Sequence, residues 1–541
     1  MTGAHSSGTI VEAAEMHPAP NGVVYQYGTA GFRTKADILD SVMTRCALIA
    51  ALRSRKVGGQ WIGMMITASH NPPEDNGVKL VEAMGNMLTE KWEALATEMA
   101  NKPTPEAVLE YYEEIAFKNN IDLKSPARVV LARDTRASGA RLQACVIDGL
   151  KAAGAEIRDF GYLTTPQLHY MVRCLNTNGA YGTPTEQGYY EKFGGAFKRA
   201  LRGKKPTGTL TVDCANGVGG PKLAELIKYL PPKSEGLEII IVNDNVVKPE
   251  ALNVECGADF VKTNQRAPPS SGAGPNDRCC SLDGDADRVV YYFKDGNSMF
   301  HLLDGDRIAT LVATFLGDLV RTSGLADQIK LGVVQTAYAN GAATHFVKDN
   351  LKLKVECTPT GVKYLHHEAE GMDIGVYFEA NGHGTVVFSP DTLKTIAAYE
   401  PRSPGQKESL DTLKACIDLI NSAVGDALSD ALLVEVILAH KNWGAEEWLG
   451  TYNDLPNRLL KVIVKDRNMF KTADAERQLV KPEGVQKLID AEVQKVRQGR
   501  SFARASGTED AVRVYAEGAT RAEADDLARK VAEIVKAAGA A

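Results

Sequence analysis

Short runs rich in valine and isoleucine alternate along this chain with longer stretches of helical periodicity, and each run empties into a polar turn. Val129-Val130-Leu131 leads into Arg133-Asp134-Thr135-Arg136 and then a helical stretch over 139–153. Leu210-Thr211-Val212 leads into Asp213 and the glycine turn 216–220, and the run 331–334 leads into a turn around Asn340-Gly341, each followed by a helical pattern. The alternation of such runs with helical patterns is the order expected of α/β domains. The three similar units imply three related α/β domains at irregular spacing.

A chain of 541 residues holds three or four domains at roughly 150 residues each. Turn-forming residues cluster at Gly182-Thr183-Pro184-Thr185 and over 450–456, and Lys204-Lys205-Pro206-Thr207-Gly208 reads as an exposed turn inside the next domain. The expected division is 1–185, 186–300, 301–452 and 453–541. The last part reads as a smaller α+β domain. Val512-Arg513-Val514-Tyr515-Ala516 alternates as a half-buried strand, and Thr520-Arg521-Ala522-Glu523 is a capping box. The helix it opens has one apolar face, formed by Leu527, Val531, Ile534 and Val535.

The formal charge of -6 and a pI near 6.0 leave no basic footprint, so nucleic acid is not an expected partner and a small ligand is. The nine cysteines include no CxxC pair, which speaks against a zinc knuckle or a disulfide framework and for a reducing compartment. The amino terminus lacks the basic head and apolar run of a signal peptide, and no stretch approaches the roughly 18 apolar residues of a membrane span. A cytoplasmic protein is expected, with no membrane partner; its oligomeric state is not written in the sequence.

Four constellations carry chemistry. In Thr67-Ala68-Ser69-His70-Asn71-Pro72 a strand delivers Ser69 to a turn fixed by Pro72 and Pro73, and Gly77 is expected to release the chain into another strand. A serine hydroxyl needs a base or metal to become a good nucleophile, and His70 and Lys79 stand close in sequence. Asp283, Asp285 and Asp287 alternate in a glycine-containing loop that can converge on one hard cation. An EF-hand starting at Asp283 is excluded, because Arg288 and Lys294 stand where it needs Gly and Glu. In Phe378-Glu379-Ala380-Asn381-Gly382-His383-Gly384-Thr385, the side chains of Glu379, Asn381 and His383 suit sugar hydroxyls, although a polar hairpin tip reads the same way. In Arg504-Ala505-Ser506-Gly507-Thr508-Glu509-Asp510, with Arg513 on the following strand, two planar forks join neutral donors in an anion clamp.

These four segments, in this order, resemble the α-D-phosphohexomutase superfamily: phosphoserine loop, metal loop, sugar loop and distal phosphate loop. Gly28-Thr29-Ala30-Gly31-Phe32-Arg33 is similar to the family's amino-terminal glycine-arginine motif. The resemblance implies three related α/β domains and a smaller α+β carboxy-terminal domain around a central cleft. It implies Mg²⁺ on Asp283, Asp285, Asp287 and phosphorylated Ser69, and a sugar 1,6-bisphosphate as activator and intermediate. Lys79 and His70 become the proton-handling or charge-stabilising residues, and Arg33 and Arg288 support the same phosphate. Glu379, Ala380, Asn381 and His383 would bind the ring, while Arg504, Ala505, Ser506, Gly507, Thr508 and Arg513 would bind the phosphate already on the substrate. The glucose and mannose enzymes usually carry Ser where Asn381 stands, and the loop here is similar to the branch acting on N-acetylglucosamine phosphates. The implied reaction converts N-acetylglucosamine 6-phosphate to the 1-phosphate on the way to UDP-N-acetylglucosamine. A glucose or mannose mutase and a catalytically silent sugar-phosphate sensor are the alternatives; the retained Ser69, aspartates and clamp argue against the sensor.

Overall fold

A computed structural model describes residues 7–506 and 510–540. The chain divides into two units, Met1–Leu302 with Asp411–Gly444, and Leu303–Leu410 with Ala445–Ala541.

The first unit holds two five-stranded sheets. One consists of β1 (Phe32–Lys35), β2 (Trp61–Ile66), β3 (Asp75–Val81), β4 (Arg128–Arg133) and β5 (Glu156–Tyr162) in the order β1-β3-β2-β4-β5. Strands β2, β4 and β5 run parallel, and β3 is antiparallel to both β1 and β2. The other consists of β6 (Thr209–Asp213), β7 (Glu238–Val242), β8 (Arg278–Leu282), β9 (Val289–Lys294) and β10 (Phe300–Leu303) in the order β10-β9-β8-β6-β7. Here β7, β6 and β8 are parallel and β9 is antiparallel to β8. Strands β2 and β8 are buried along their whole length; β2 accordingly reads as an unbroken apolar run, whereas the polar Arg278 and Ser281 of β8 are met by Glu435 and Asp213.

The second unit holds β11 (Leu331–Thr336), β12 (Lys354–Thr358), β13 (Ile374–Phe378) and β14 (Gly384–Phe388) in the order β12-β11-β13-β14. The first three are parallel and β14 is antiparallel to β13. The remainder is α+β. Strands β15 (Asn457–Ile463), β18 (Arg500–Ala505) and β19 (Ala511–Glu517) form an antiparallel sheet in the order β15-β19-β18, and β16 (Lys471–Ala473) pairs with β17 (Gln478–Lys481). Helices Val485–Val493 and Arg521–Ala540 cover one face of that sheet. Val485, Ile489, Leu527, Val531 and Val535 pack there against Val512 and Val514, with Ile534 at the margin. Thr520 Oγ1 accepts from the Glu523 amide at 3.2 Å and donates to the Glu523 carboxylate at 2.8 Å, and that carboxylate also accepts from the Thr520 backbone amide, as in the expected capping box.

The three larger sheets repeat one pattern of parallel, parallel and antiparallel neighbours: β5-β4-β2-β3, β7-β6-β8-β9 and β12-β11-β13-β14. In the first sheet the hairpin precedes its parallel partners along the chain; in the other two it follows them. That permutation explains the irregular spacing of the repeat in the sequence. The hairpin turns β2–β3, β8–β9 and β13–β14 are therefore equivalent, each at the carboxyl end of a parallel strand, where open α/β sheets place their ligands.

The segment Asp411–Gly444 is contiguous in sequence with the second unit but packs in the first. Its helix Ala427–Lys441 is buried over most of its length. Glu435 accepts from Arg278 Nε at 2.9 Å and Nη2 at 2.7 Å, and the Ala427 amide donates to the Ala286 carbonyl at 3.1 Å. Among the described residues, no helix is long and apolar enough to cross a membrane.

The Arg278–Glu435 pair is almost wholly shielded from water. Glu435→Ala should therefore destabilise the first unit by about 3–5 kcal/mol, since it strands a buried guanidinium. The double replacement Arg278→Met/Glu435→Leu should recover most of the loss. Urea midpoints of the two variants check this.

Candidate active site

Ser69 sits on a turn that the chain holds against its own preference. Its φ is 48°, in the left-handed region that costs a non-glycine residue roughly 1–2 kcal/mol. Thr67, just past β2, donates to Asp134 at 2.7 Å, and its hydroxyl accepts from the Ser69 amide at 2.9 Å. Arg136 then ties the turn down. Its Nη2 donates to the Ser69 and Asn71 carbonyls, both at 2.9 Å, and its Nη1 to Pro72 at 2.5 Å and Asp75 at 2.9 Å, while Nε meets Asp134 at 3.1 Å. Asn253 adds donations to the same Ser69 and Asn71 carbonyls.

Gly77 does not release the chain into a strand, because β3 already begins at Asp75. It lies opposite Arg33 on β1, where a Cβ would stand 2.1 Å from the Phe32 carbonyl oxygen. Glycine is needed there for close approach between strands. Gly284 has the same role in the metal loop, where a Cβ would lie 2.5 Å from the Ser69 carbonyl oxygen.

With both loops in place, the buried Ser69 hydroxyl donates to Asp285 Oδ2 at 2.9 Å and accepts from Arg33 Nη2 at 2.8 Å. Asp285 Oδ2 also accepts from Lys79 Nζ at 3.0 Å and Thr165 Oγ1 at 2.5 Å. Lys79 reaches Asp287 at 3.0 Å as well. Ala286 is left-handed, with φ 57°, and the loop curls so that Asp283, Asp285 and Asp287 offer oxygens within 4.8 Å of one another. Asp283 Oδ1 accepts from the amides of Asp287 and Arg288, at 3.1 and 3.2 Å. Asp283 Oδ2 and Asp285 Oδ1 are buried without a hydrogen-bond partner among the described residues. Oxygen-only donors, a small separation and orphaned buried lone pairs fit a hard divalent cation.

The electrostatics point the same way. Burial, followed by the charges of Asp287 and Asp285, pushes the Asp283 carboxyl well above the usual range. Burial and Asp287 push Asp285 upward too, but Lys79, Thr165 and Arg33 outweigh them and hold it below its ordinary value. Arg288, then burial and Arg33, keep the His70 imidazole far below the usual histidine range. No hydrogen bond joins His70 to Ser69 among the described residues, and its buried Nδ1 has no partner there. Arg288 Nε lies 3.8 Å from Asp283 and 3.9 Å from Asp287.

The other two loops belong to the second unit. The β13–β14 turn is closed by the Glu379 amide donating to the His383 carbonyl and the Gly382 amide donating to the Glu379 carbonyl, both at 2.9 Å. Asn381 Oδ1 accepts from the His383 amide at 3.0 Å, and its Nδ2 donates to the Glu379 carboxylate at 3.3 Å. Glu379, Ala380 and Asn381 are half-buried, whereas His383 is buried. In the β18–β19 hairpin, Arg504 stands opposite Arg513 and Ala505 opposite Val512, and the Ser506 amide closes onto the Ala511 carbonyl at 2.8 Å. Val512 and Val514 face the helices, so Arg513 projects from the other face. Gly507 and Thr508 lie outside the described residues.

Sequence reasoning passed over Arg136, Asp134, Thr165 and Asn253. The first two stood in view, in the polar turn after β4, and a buried Asp-x-Arg at a strand end was the available signal. Thr165 follows the helix cap Thr164, and nothing local marks Asn253.

The sequence matches the family models for phosphoacetylglucosamine mutase AMG1, domain II over residues 180–290 and domain III over 304–443. It also matches those for phosphoglucomutase/phosphomannomutase, the alpha/beta/alpha domain I over 38–107 and 97–181 and the C-terminal domain over 459–534. It is 47% identical to the phosphoacetylglucosamine mutase of Candida albicans, over 98% of this chain and 99% of that one. Identity to the Homo sapiens phosphoacetylglucosamine mutase is 48%, over 97% and 96%. A crystal structure of Aspergillus fumigatus N-acetylphosphoglucosamine mutase in complex with GlcNAc-6P and magnesium is similar at a TM-score of 0.96 and 60% identity, covering 99% of this chain and 100% of that one.

A carboxylate whose pKa is raised by folding costs stability once the pH exceeds its unfolded value, because ionisation is then harder in the folded state. Asp283 is in that position without a cation. In EDTA at pH 7, Asp283→Asn should therefore melt at or above the parent, by up to about 4 °C. Added Mg²⁺ should raise the parent's melting temperature and leave the variant's unchanged; thermal scans with and without the ion check both signs.

Proposed function

The chain belongs to the phosphoacetylglucosamine mutase family within the α-D-phosphohexomutases, and from that footing we propose that it interconverts N-acetylglucosamine 6-phosphate and N-acetylglucosamine 1-phosphate. The observation that carries the proposal is the Ser69 hydroxyl, bonded at once to Asp285 of the metal loop and to Arg33. A side chain so placed serves as a phosphoryl carrier.

In the forward reaction the phosphoryl group of phospho-Ser69 passes to the free sugar hydroxyl. The P–O bond to Ser69 breaks as the bond to the sugar oxygen forms, and the proton that the sugar hydroxyl gives up ends on the freed Ser69 Oγ. The resulting 1,6-bisphosphate turns over and returns its other phosphate to Ser69, which restores the enzyme. Arg33 and Arg288 offset the charge on the carried phosphoryl group, and Lys79, seated between Asp285 and Asp287, supplies a further positive charge where the proton moves. His70 is kept neutral and contributes a hydrogen-bonding ring. Mg²⁺ held by Asp283, Asp285, Asp287 and phospho-Ser69 supplies Lewis-acid neutralisation of the phosphoryl oxygens.

Arg504, Ser506 and Arg513, with Ala505, Gly507 and Thr508, hold the phosphate that the sugar already carries. Glu379, Ala380, Asn381 and His383 read the ring, and contacts near its middle survive the reversal of the bisphosphate. We read the chain as four domains, 1–185, 186–300, 301–452 and 453–541. The product supplies UDP-N-acetylglucosamine synthesis. The cysteines are all free thiols, and every one but Cys357 is buried, which supports a cytoplasmic location.

Ser69→Ala should lower turnover of N-acetylglucosamine 6-phosphate by more than about 10⁴-fold, even with added bisphosphate. Phosphate should be found on the Ser69 peptide of the parent by mass analysis. The parent should favour N-acetylglucosamine 6-phosphate over glucose 1-phosphate in kcat/KM, and equal rates would return the chain to the glucose branch.

A further inference from the structure

Arg504 does not stand alone in its half of the proposed phosphate clamp. Its Nε donates to the Tyr338 hydroxyl at 3.0 Å, and its Nη1 donates to Glu476 Oε1 at 3.2 Å. Its Nη2 carries no hydrogen bond among the described residues. The Tyr338 ring is itself wedged edge-on against Phe502 and Tyr515, with centroids 5.0 and 5.9 Å away. The other oxygen of Glu476 is anchored as well. Oε2 accepts from the Thr360 amide at 3.0 Å and from the Thr360 hydroxyl at 2.5 Å.

The backbone that presents Glu476 is costly. Asp474, Ala475 and Glu476, in the turn between β16 and β17, are all left-handed, with φ of 52°, 51° and 67°. A hairpin turn needs at most two such positions, usually filled by Gly or Asn. Three consecutive non-glycine residues there hold strain, and strain persists where the surrounding structure uses the geometry. What this geometry achieves is a carboxylate placed between Thr360 and Arg504.

We propose that Glu476 is a positioning residue for the clamp: anchored on Thr360, it fixes the plane of the Arg504 guanidinium so that the Nη2 edge meets the phosphate of the phosphosugar. The inference rests on the phosphosugar-binding reading of Arg504 given above. A free arginine side chain carries rotamer entropy that is lost on gripping an anion. An arginine already held by Glu476 and Tyr338 has lost it beforehand. The arrangement has an opposing effect, because a carboxylate beside a phosphate site repels the ligand. Orientation and charge therefore predict opposite signs when the carboxylate is removed, and the sign separates them.

The test is calorimetric binding of N-acetylglucosamine 6-phosphate to the full-length chain and to Glu476→Gln, Thr360→Val, Arg504→Ala and the double variant Glu476→Gln/Arg504→Ala. Positioning predicts that Glu476→Gln weakens binding roughly tenfold although it removes a negative charge, and that Thr360→Val, which leaves the hairpin untouched, weakens it by about threefold. The double variant should bind like Arg504→Ala alone, because Glu476 acts through that arginine. Unchanged or tighter binding by Glu476→Gln overturns the inference, as does a further loss in the double variant. If Arg504→Ala itself binds like the parent, the clamp reading fails, and this inference falls with it.

Discussion

The buried guanidinium of Arg136 is the interaction on which the Ser69 turn of the first unit depends. Burying a charge costs several kcal/mol unless its hydrogen-bonding capacity is met. Here Asp134 meets Nε, and the carbonyls of Ser69, Asn71, Pro72 and Asp75 meet the two terminal nitrogens. The turn has no conformation as good without the arginine, and the arginine has no burial as good without the turn. That mutual dependence holds Ser69 in a backbone region that serine avoids. Asp134 is stressed in return. Burial raises its carboxyl pKa more than Arg136 and the neighbouring donors lower it, so the pair is buried charge held at a cost for geometry.

Around that fixed turn, the chain uses one architectural position three times. The β2–β3 turn carries Ser69, the β8–β9 turn the three aspartates and the β13–β14 turn Glu379, Asn381 and His383. Each follows a parallel strand buried on both faces, so each loop is set on a support that cannot flex without opening a core. The fourth sheet departs from the pattern. It is antiparallel, with helices on one face and Tyr338 packed against Phe502 and Tyr515 on the other, and the alternation along β19 sends Val512 and Val514 to the helices and Arg513 to the opposite side.

The charges follow a similar logic. Three carboxylates are brought together in the first unit with Arg33, Lys79 and Arg288 beside them. None of these groups is exposed, so their fields are little screened by water. A site that must carry a dianionic phosphoryl group and pass it on gains from such a balance, since surplus of either sign would trap or repel it.

Local pattern sufficed for much of this. Short apolar runs marked the strands, aspartates two residues apart in a glycine loop marked carboxylates able to converge, and Pro72 and Pro73 after Ser69 marked a turn, because each property is written within a few neighbouring residues. The contacts that make these residues work were not local. Arg33 reaches Ser69 across 36 positions, Thr165 reaches Asp285 across 120 and Ser69 reaches Asp285 across 216. Glu476 finds Thr360 across 116 positions, and Asp411–Gly444 leaves its sequence neighbours to pack in the first unit. Hydrogen bonds act over about 3 Å and demand alignment, so partners distant in the chain are chosen only when the order of strands in each sheet brings their ends together. The sequence by itself determined which polar groups each loop carries; the tertiary structure alone decided that the Ser69 turn meets the aspartate loop in the first unit and that Glu476 meets Arg504 in the second.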